Sequence, residues 1–177
     1  MKFDWELLWI ALLLSLMGIL LIYSAVHETE LQVLYIRQIA FLFVAIGVMI
    51  ILWRIPVRIH DGLSYIYYIA IIIILAIVLL QNAEVKRWLN IGPIRLQPSE
   101  LSKLVMVFVL GRWWRDHTKT LDSPLTIAIA ILIILPPFLL VIGEPDLGTG
   151  IVFWVILFVI MYGAGVRPLH LFLLLTP

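Results

Sequence analysis

Residues 7 to 26, LLWIALLLSLMGILLIYSAV, carry no charged side chain. A helix that crosses the hydrocarbon of a bilayer needs roughly 20 mostly apolar residues. This one run therefore restricts the chain to folds that place helices in lipid. It has company, for example YIYYIAIIIILAIVLL at 65–80. Over the whole chain 64% of residues are hydrophobic and 13% charged, whereas soluble domains sit near half apolar and about a quarter charged. Asp4 and Glu6 spoil the basic start of a cleavable signal, and the apolar run is too long for one. The first segment is expected to stay as an anchor.

Apolar runs separated by short polar turns divide the chain into six expected spans: 7–26, 33–53, 63–80, 99–114, 125–142 and 147–162. A further apolar run begins at 169 and is too short to cross by itself. The expected fold is all-α, a multi-pass transmembrane helical protein with about six spans and the start of a seventh. Residues 1–177 are read as a single transmembrane domain, the N-terminal part of something longer. Pro56 and Gly62 should break the chain between the second and third spans. Pro136 and Pro137 should break or kink the fifth, and broken helices at membrane depth line cavities rather than lipid.

Orientation follows from Lys and Arg in short loops. With a cytoplasmic N-terminus, seven lie inside (Lys2, Arg54, Arg58, Arg112, Arg115, Lys119, Arg167) and four outside (Arg37, Lys86, Arg87, Arg95). Three of the four exceptions share one loop, within the longest non-hydrophobic stretch of the chain, 81–99. Clustered violations of a topological rule ask for a reason beyond topology.

That stretch leads into RWLNIGPIRLQPSELSK (87–103). Arginine suits bidentate contact with phosphate oxygens. Trp88 beside Arg87 fits either an anion site or an anchor at the headgroup level. Pro98 suits a helix start, Ser99 an N-cap, and Glu100 the positive end of the helix dipole. Glu100 and Lys103, three apart, share a helix face with Val107, Gly111 and Trp114. An ionisable residue such as Lys103 inside a span should face a cavity or a partner; the alternative is a structural Glu100–Lys103 ion pair. Downstream, GEPDLGTG (143–150) offers Asp146 as an N-cap or as a cavity carboxylate able to pair with Lys103. Glu144 is a weaker candidate of the same kind, and Gly148 and Gly150 allow close backbone approach.

Other chemistries find no support. There is no cysteine, hence no disulfide framework or thiolate metal site. His27, His60, His117 and His170 lie in separate loops without ligand spacing. The basic residues are too dispersed for nucleic-acid binding. No cofactor is evident, although a divalent cation bridging a phosphate and carboxylates stays open.

RWLNIGPIRLQPSELSKL and EPDLGTG, in that order along the chain, and LLIYSAV at the end of the first span resemble the signatures of the SEDS proteins (shape, elongation, division and sporulation). The IGPI wording is closer to the elongation branch than to the division branch. The resemblance implies a ten-span enzyme of the bacterial cytoplasmic membrane that polymerises lipid II into glycan strands. It also implies a class B penicillin-binding protein as partner. Carried onto matching positions, it makes Arg87, Trp88, Gln97, Pro98, Ser99, Glu100, Lys103 and Asp146 cavity residues. The residues themselves add Lys86, Arg95 and Glu144 more weakly. The catalytic carboxylate of the family is expected as an Asp in an outward loop after a seventh span, so no catalytic residue is assigned within 1–177. A flippase for the same lipid, a division-branch enzyme and a non-catalytic membrane scaffold are the competing readings.

Overall fold

The computed structural model describes residues 4–27, 31–81, 87–91 and 94–168. Six long helices follow one another: α1 (Trp5–Val26), α2 (Val33–Arg54), α3 (Val57–Leu79), α4 (Pro98–Asp116), α5 (Pro124–Gly143) and α6 (Leu147–Ala164). A short antiparallel hairpin, β1 (Leu89–Ile91) and β2 (Ile94–Leu96), precedes α4 with Asn90 opposite Arg95. Among the described residues the regular elements are helical apart from this ribbon, which the apolar periodicity did not announce. The apolar run from 169 lies outside the described residues.

Among the described residues, five helices are long and apolar enough to cross a membrane, α4 being the exception. Its 19 residues include Glu100, Lys103, Arg112, Arg115 and Asp116, all near its two ends. In the uncharged middle, Met106, Val109 and Leu110 are buried by neighbouring helices, while Leu104 and Val107 are exposed. This is a multi-pass membrane protein.

By contacts the chain divides into two compact units, Met1–Pro56 and Val57–Pro177. The first holds α1 and α2. Asp4 caps α1, its Oδ1 accepting from the Glu6 and Leu7 N–H groups at 3.1 Å each, and this satisfies donors that a helix start leaves orphaned. Tyr23 and Tyr35 meet edge to face, with centroids 5.2 Å apart.

In the second unit α4 packs against α3, α5 and α6. The core runs through Leu75, Met106, Leu110, Trp114, Ile134, Phe153, Leu157 and Met161, all fully or almost fully buried. At one end Arg112 Nη1 donates to the Asp61 and Gly62 carbonyls at 2.8 and 3.0 Å. The guanidinium also lies over the Tyr65 ring, 4.7 Å from its centroid. Arg115 pairs with both Asp61 and Asp116. These contacts lock the start of α3 to the end of α4. At the other end of α6, Gly165 closes the helix in the left-handed region (φ 94°), which glycine adopts without steric cost.

Three sequence expectations change. Gly62 is no breaker: α3 starts at Val57, directly after Pro56, and runs through it. Ser99 is not the N-cap of α4; Gln97 is, with Pro98 as the first helical residue. Pro136 and Pro137 do not break α5, which is continuous from Pro124 to Gly143. Pro137 lacks the N–H that would bond the Ile133 carbonyl four residues back. The Tyr68 hydroxyl of α3 supplies that bond instead, at 2.8 Å. A neighbouring side chain thus re-satisfies the backbone group that proline frees.

Tyr68→Phe should therefore lower stability by about 1 kcal/mol or somewhat more, the cost of stranding a buried acceptor. Pro137→Ala restores the intrahelical donor, so the double variant should lose less than Tyr68→Phe alone. Thermal unfolding of the four proteins in one detergent checks this.

Candidate site at the α4 and α6 N-termini

Three segments of the second unit meet here: the approach to β1, the start of α4, and the turn between α5 and α6. Arg87 Nε donates to the Glu144 carbonyl at 2.9 Å, and a second guanidinium N–H donates to the Pro145 carbonyl. The fork of one side chain thus holds two successive carbonyls of the turn, which an ammonium could not do with the same geometry.

Asp146 works in two directions. It is the N-cap of α6, accepting from the Thr149 N–H at 3.2 Å and the Thr149 hydroxyl at 3.0 Å. It also accepts from Gln97 Nε2 at 3.0 Å. Gln97 is itself the N-cap of α4, so one carboxylate joins the N-termini of two helices. Both termini carry partial positive charge and unsatisfied N–H groups. Close packing at Gly150 supports this: a Cβ there would meet Phe138 of α5 at 3.3 Å.

Lys103 lies one turn into α4. Its Nζ is 2.7 Å from Glu100, with side-chain exposures of 26% and 55%. Of the two partners considered for Lys103, the structure shows Glu100, while Asp146 takes Gln97 and Thr149. At half exposure such a pair contributes little to stability, which leaves the ammonium available to a stronger anion. Ser99 is fully buried with its hydroxyl unpartnered, and its carbonyl accepts from Ser102 Oγ at 2.6 Å. Pro98 is buried; Trp88 and Arg95 are exposed. Lys86 lies outside the described residues. Hydrogen bonds thus bring together Arg87, Gln97, Glu144 and Asp146, with Lys103 and Glu100 as a separate pair. Thr149 joins the first group, and the sequence reading missed it. Its signal was the three-residue spacing from Asp146, the interval at which a cap reaches back. No group of three or more His, Asp or Glu suited to a metal occurs among the described residues.

Glu144 is the outlier. It follows the last residue of α5 and is fully buried, and neither carboxylate oxygen has a hydrogen-bond partner among the described residues. Burial pushes its pKa up from 4.5 to about 7; the Asp146 charge adds to the rise and Arg87 opposes it.

A family model described as "Cell cycle protein", the FtsW/RodA/SpoVE model, matches residues 4–176. The chain belongs to this family. It is 30% identical over 177 residues to a protein of Aliivibrio salmonicida named probable peptidoglycan glycosyltransferase FtsW, covering 93% of this chain and 44% of that one. The crystal structure of the Thermus thermophilus rod shape determining protein RodA superposes with a TM-score of 0.80 at 27% identity, over 98% of this chain and 57% of that one. A chain from a structure described as a peptidoglycan synthase complex that coordinates polymerization and crosslinking matches at 0.82 and 27%, over 99% and 52%. The chain spans about half the length of these relatives.

An acid whose pKa is raised by folding binds its proton more tightly in the folded state. Stability should therefore fall as pH rises from about 4.5 to about 7, then level off. Glu144→Gln removes that loss. Its melting temperature should exceed that of the unsubstituted protein by a margin that grows over this interval and is constant above it, as read by thermal unfolding across the pH series.

Proposed function

We propose that this chain forms part of a peptidoglycan glycosyltransferase of the elongation, RodA-like, branch that polymerises lipid II into glycan strands. The observation that carries the reading is the junction itself: Arg87 on the Glu144–Pro145 carbonyls and Gln97 on Asp146. It gathers a guanidinium and two helix N-termini in a chain whose family members are named glycosyltransferases and rod-shape proteins. The IGPI wording at 91–94 supports the elongation branch.

Lipid II carries a pyrophosphate between its sugar and its polyprenyl tail. In the proposed reaction a sugar hydroxyl of one substrate attacks the anomeric carbon of the other. The new glycosidic bond takes its electrons from that hydroxyl oxygen. The anomeric carbon–oxygen bond breaks, and the lipid pyrophosphate leaves with the bonding pair. Charge grows on the leaving group, where Arg87, Lys103 and the N–H groups of the α4 and α6 starts stabilise it. Arg87 is oriented for this by its carbonyl anchors. Lys103 can exchange its half-exposed partner Glu100 for the more highly charged pyrophosphate. The hydroxyl proton goes to a general base, which we assign to an Asp in an outward loop beyond residue 177. The match to a synthase complex supports a crosslinking partner of the class B penicillin-binding type.

The test is polymer formation from lipid II by the full-length protein reconstituted in vesicles. Arg87→Ala and Lys103→Ala should each lower kcat/KM about 100-fold, as lost transition-state donors do, while the fold is retained. Lipid II moved across the vesicle without polymer would instead assign a flippase. Polymer yields unaffected by both substitutions would sink the assigned roles.

We also place the N-terminus in the cytoplasm and this site on the outer face of the cytoplasmic membrane. The chain has no cysteine, so single substitutions report topology directly. Trp88→Cys should react with a membrane-impermeant thiol reagent added to intact spheroplasts, and Lys119→Cys only after lysis. The reverse pattern would invert the topology.

A further inference from the structure

The buried carboxyl of Glu144 has no role in the reaction outlined above. It sits on the residue whose own backbone carbonyl receives Arg87 Nε at 2.9 Å. Glu144 itself is fully buried, and the preceding Gly143 lies against α3 so tightly that a Cβ there would meet Leu79 at 3.0 Å. Among the described residues, the charged groups acting on the carboxyl are Asp146, two residues on, and Arg87, from the segment before β1. α4 brings Gln97 to the same turn, and Gln97 is committed to Asp146. Both Glu144 oxygens lack a hydrogen bond among the described residues.

We propose that Glu144 is a positioning residue for Arg87, leaving the guanidinium to an anionic ligand when protonated and capturing it when ionised. The inference rests on the reading of the junction as a site for a lipid-linked pyrophosphate. An uncompensated buried carboxylate is costly, so its ionisation draws in the nearest cation. Arg87 is already held at the adjacent carbonyls, so a small rotation of its fork satisfies that demand. The guanidinium keeps three N–H groups beyond the two committed to carbonyls. With Glu144 neutral these are free to meet phosphoryl oxygens. With Glu144 ionised, its proton released to water, they turn inward and the carboxylate offsets the charge of the guanidinium. The pKa of about 7 puts this exchange in the physiological range.

The experiment measures binding of a polyprenyl pyrophosphate to the full-length protein in nanodiscs from about pH 6 to about pH 8.5, without polymerisation. Titration of the ligand is common to all variants and cancels in the comparison. The unsubstituted protein should lose about ten-fold in affinity over this range relative to Glu144→Gln, matching the loss of a charge-assisted contact. Glu144→Gln should bind more tightly than the unsubstituted protein at the upper end. Glu144→Met, apolar and of similar length, should behave like the Gln variant and covers the case where Gln folds poorly. Glu144→Asp should retain the pH dependence. Parallel curves for the unsubstituted protein and the Gln or Met variant, with the ligand bound by both, would overturn the Glu144 inference and leave the site intact. Absence of binding by every variant at every pH would overturn the site reading, and the inference with it.

Discussion

Asp146 is the carboxylate on which the arrangement of this end of the protein depends. It caps α6 through Thr149 and at the same time receives the Gln97 amide from the start of α4. Without it, two helix N-termini would expose N–H donors toward each other with nothing to accept from them. With it, like-signed helix ends are held side by side, and Arg87 can close over the neighbouring carbonyls. The polar surface of the site is therefore a consequence of helix packing: the groups that face outward are those that the shared carboxylate leaves unused.

α4 poses the opposite problem. Its five charged residues make it a poor lipid-facing helix, and it packs against three neighbours, α3, α5 and α6. The charges lie within the first two and last two turns. At one end Arg112 and Arg115 are absorbed by Asp61, Asp116 and the carbonyls of α3. At the other, Glu100 and Lys103 remain partly exposed. One end of the helix is thus neutralised as a structural clamp, and the other keeps an accessible cation.

Much of this was legible in the sequence because membrane spans obey a composition rule that acts over twenty residues at once. The cap at Asp146 was legible from a carboxylate placed after Pro145 at the start of an apolar run, and the Glu100–Lys103 pair from spacing, since a helix brings positions three apart together. The failures have equally local causes. Gly62 looked like a breaker, but glycine costs a helix only about 1 kcal/mol, and its carbonyl also receives Arg112 from fifty residues away. Ser99 was read as the cap because its hydroxyl is a common cap group, whereas Pro98 at the first helical position shifts the cap to Gln97. Glu144 ranked as a weak candidate because sequence does not reveal burial, and burial is what makes it unusual. The hairpin at 89–96 has only three residues per strand, too few for alternation to stand out.

The pair of prolines in α5 has a consequence for how the protein is made. A helix with an unbonded carbonyl at Ile133 is poorly suited to enter hydrocarbon on its own. The donor that completes it, Tyr68, belongs to α3 and is synthesised earlier in the chain. During biogenesis α3 can therefore wait in the membrane as a template that accepts α5 when it arrives. The order of helices along the polypeptide is then also a workable order of assembly.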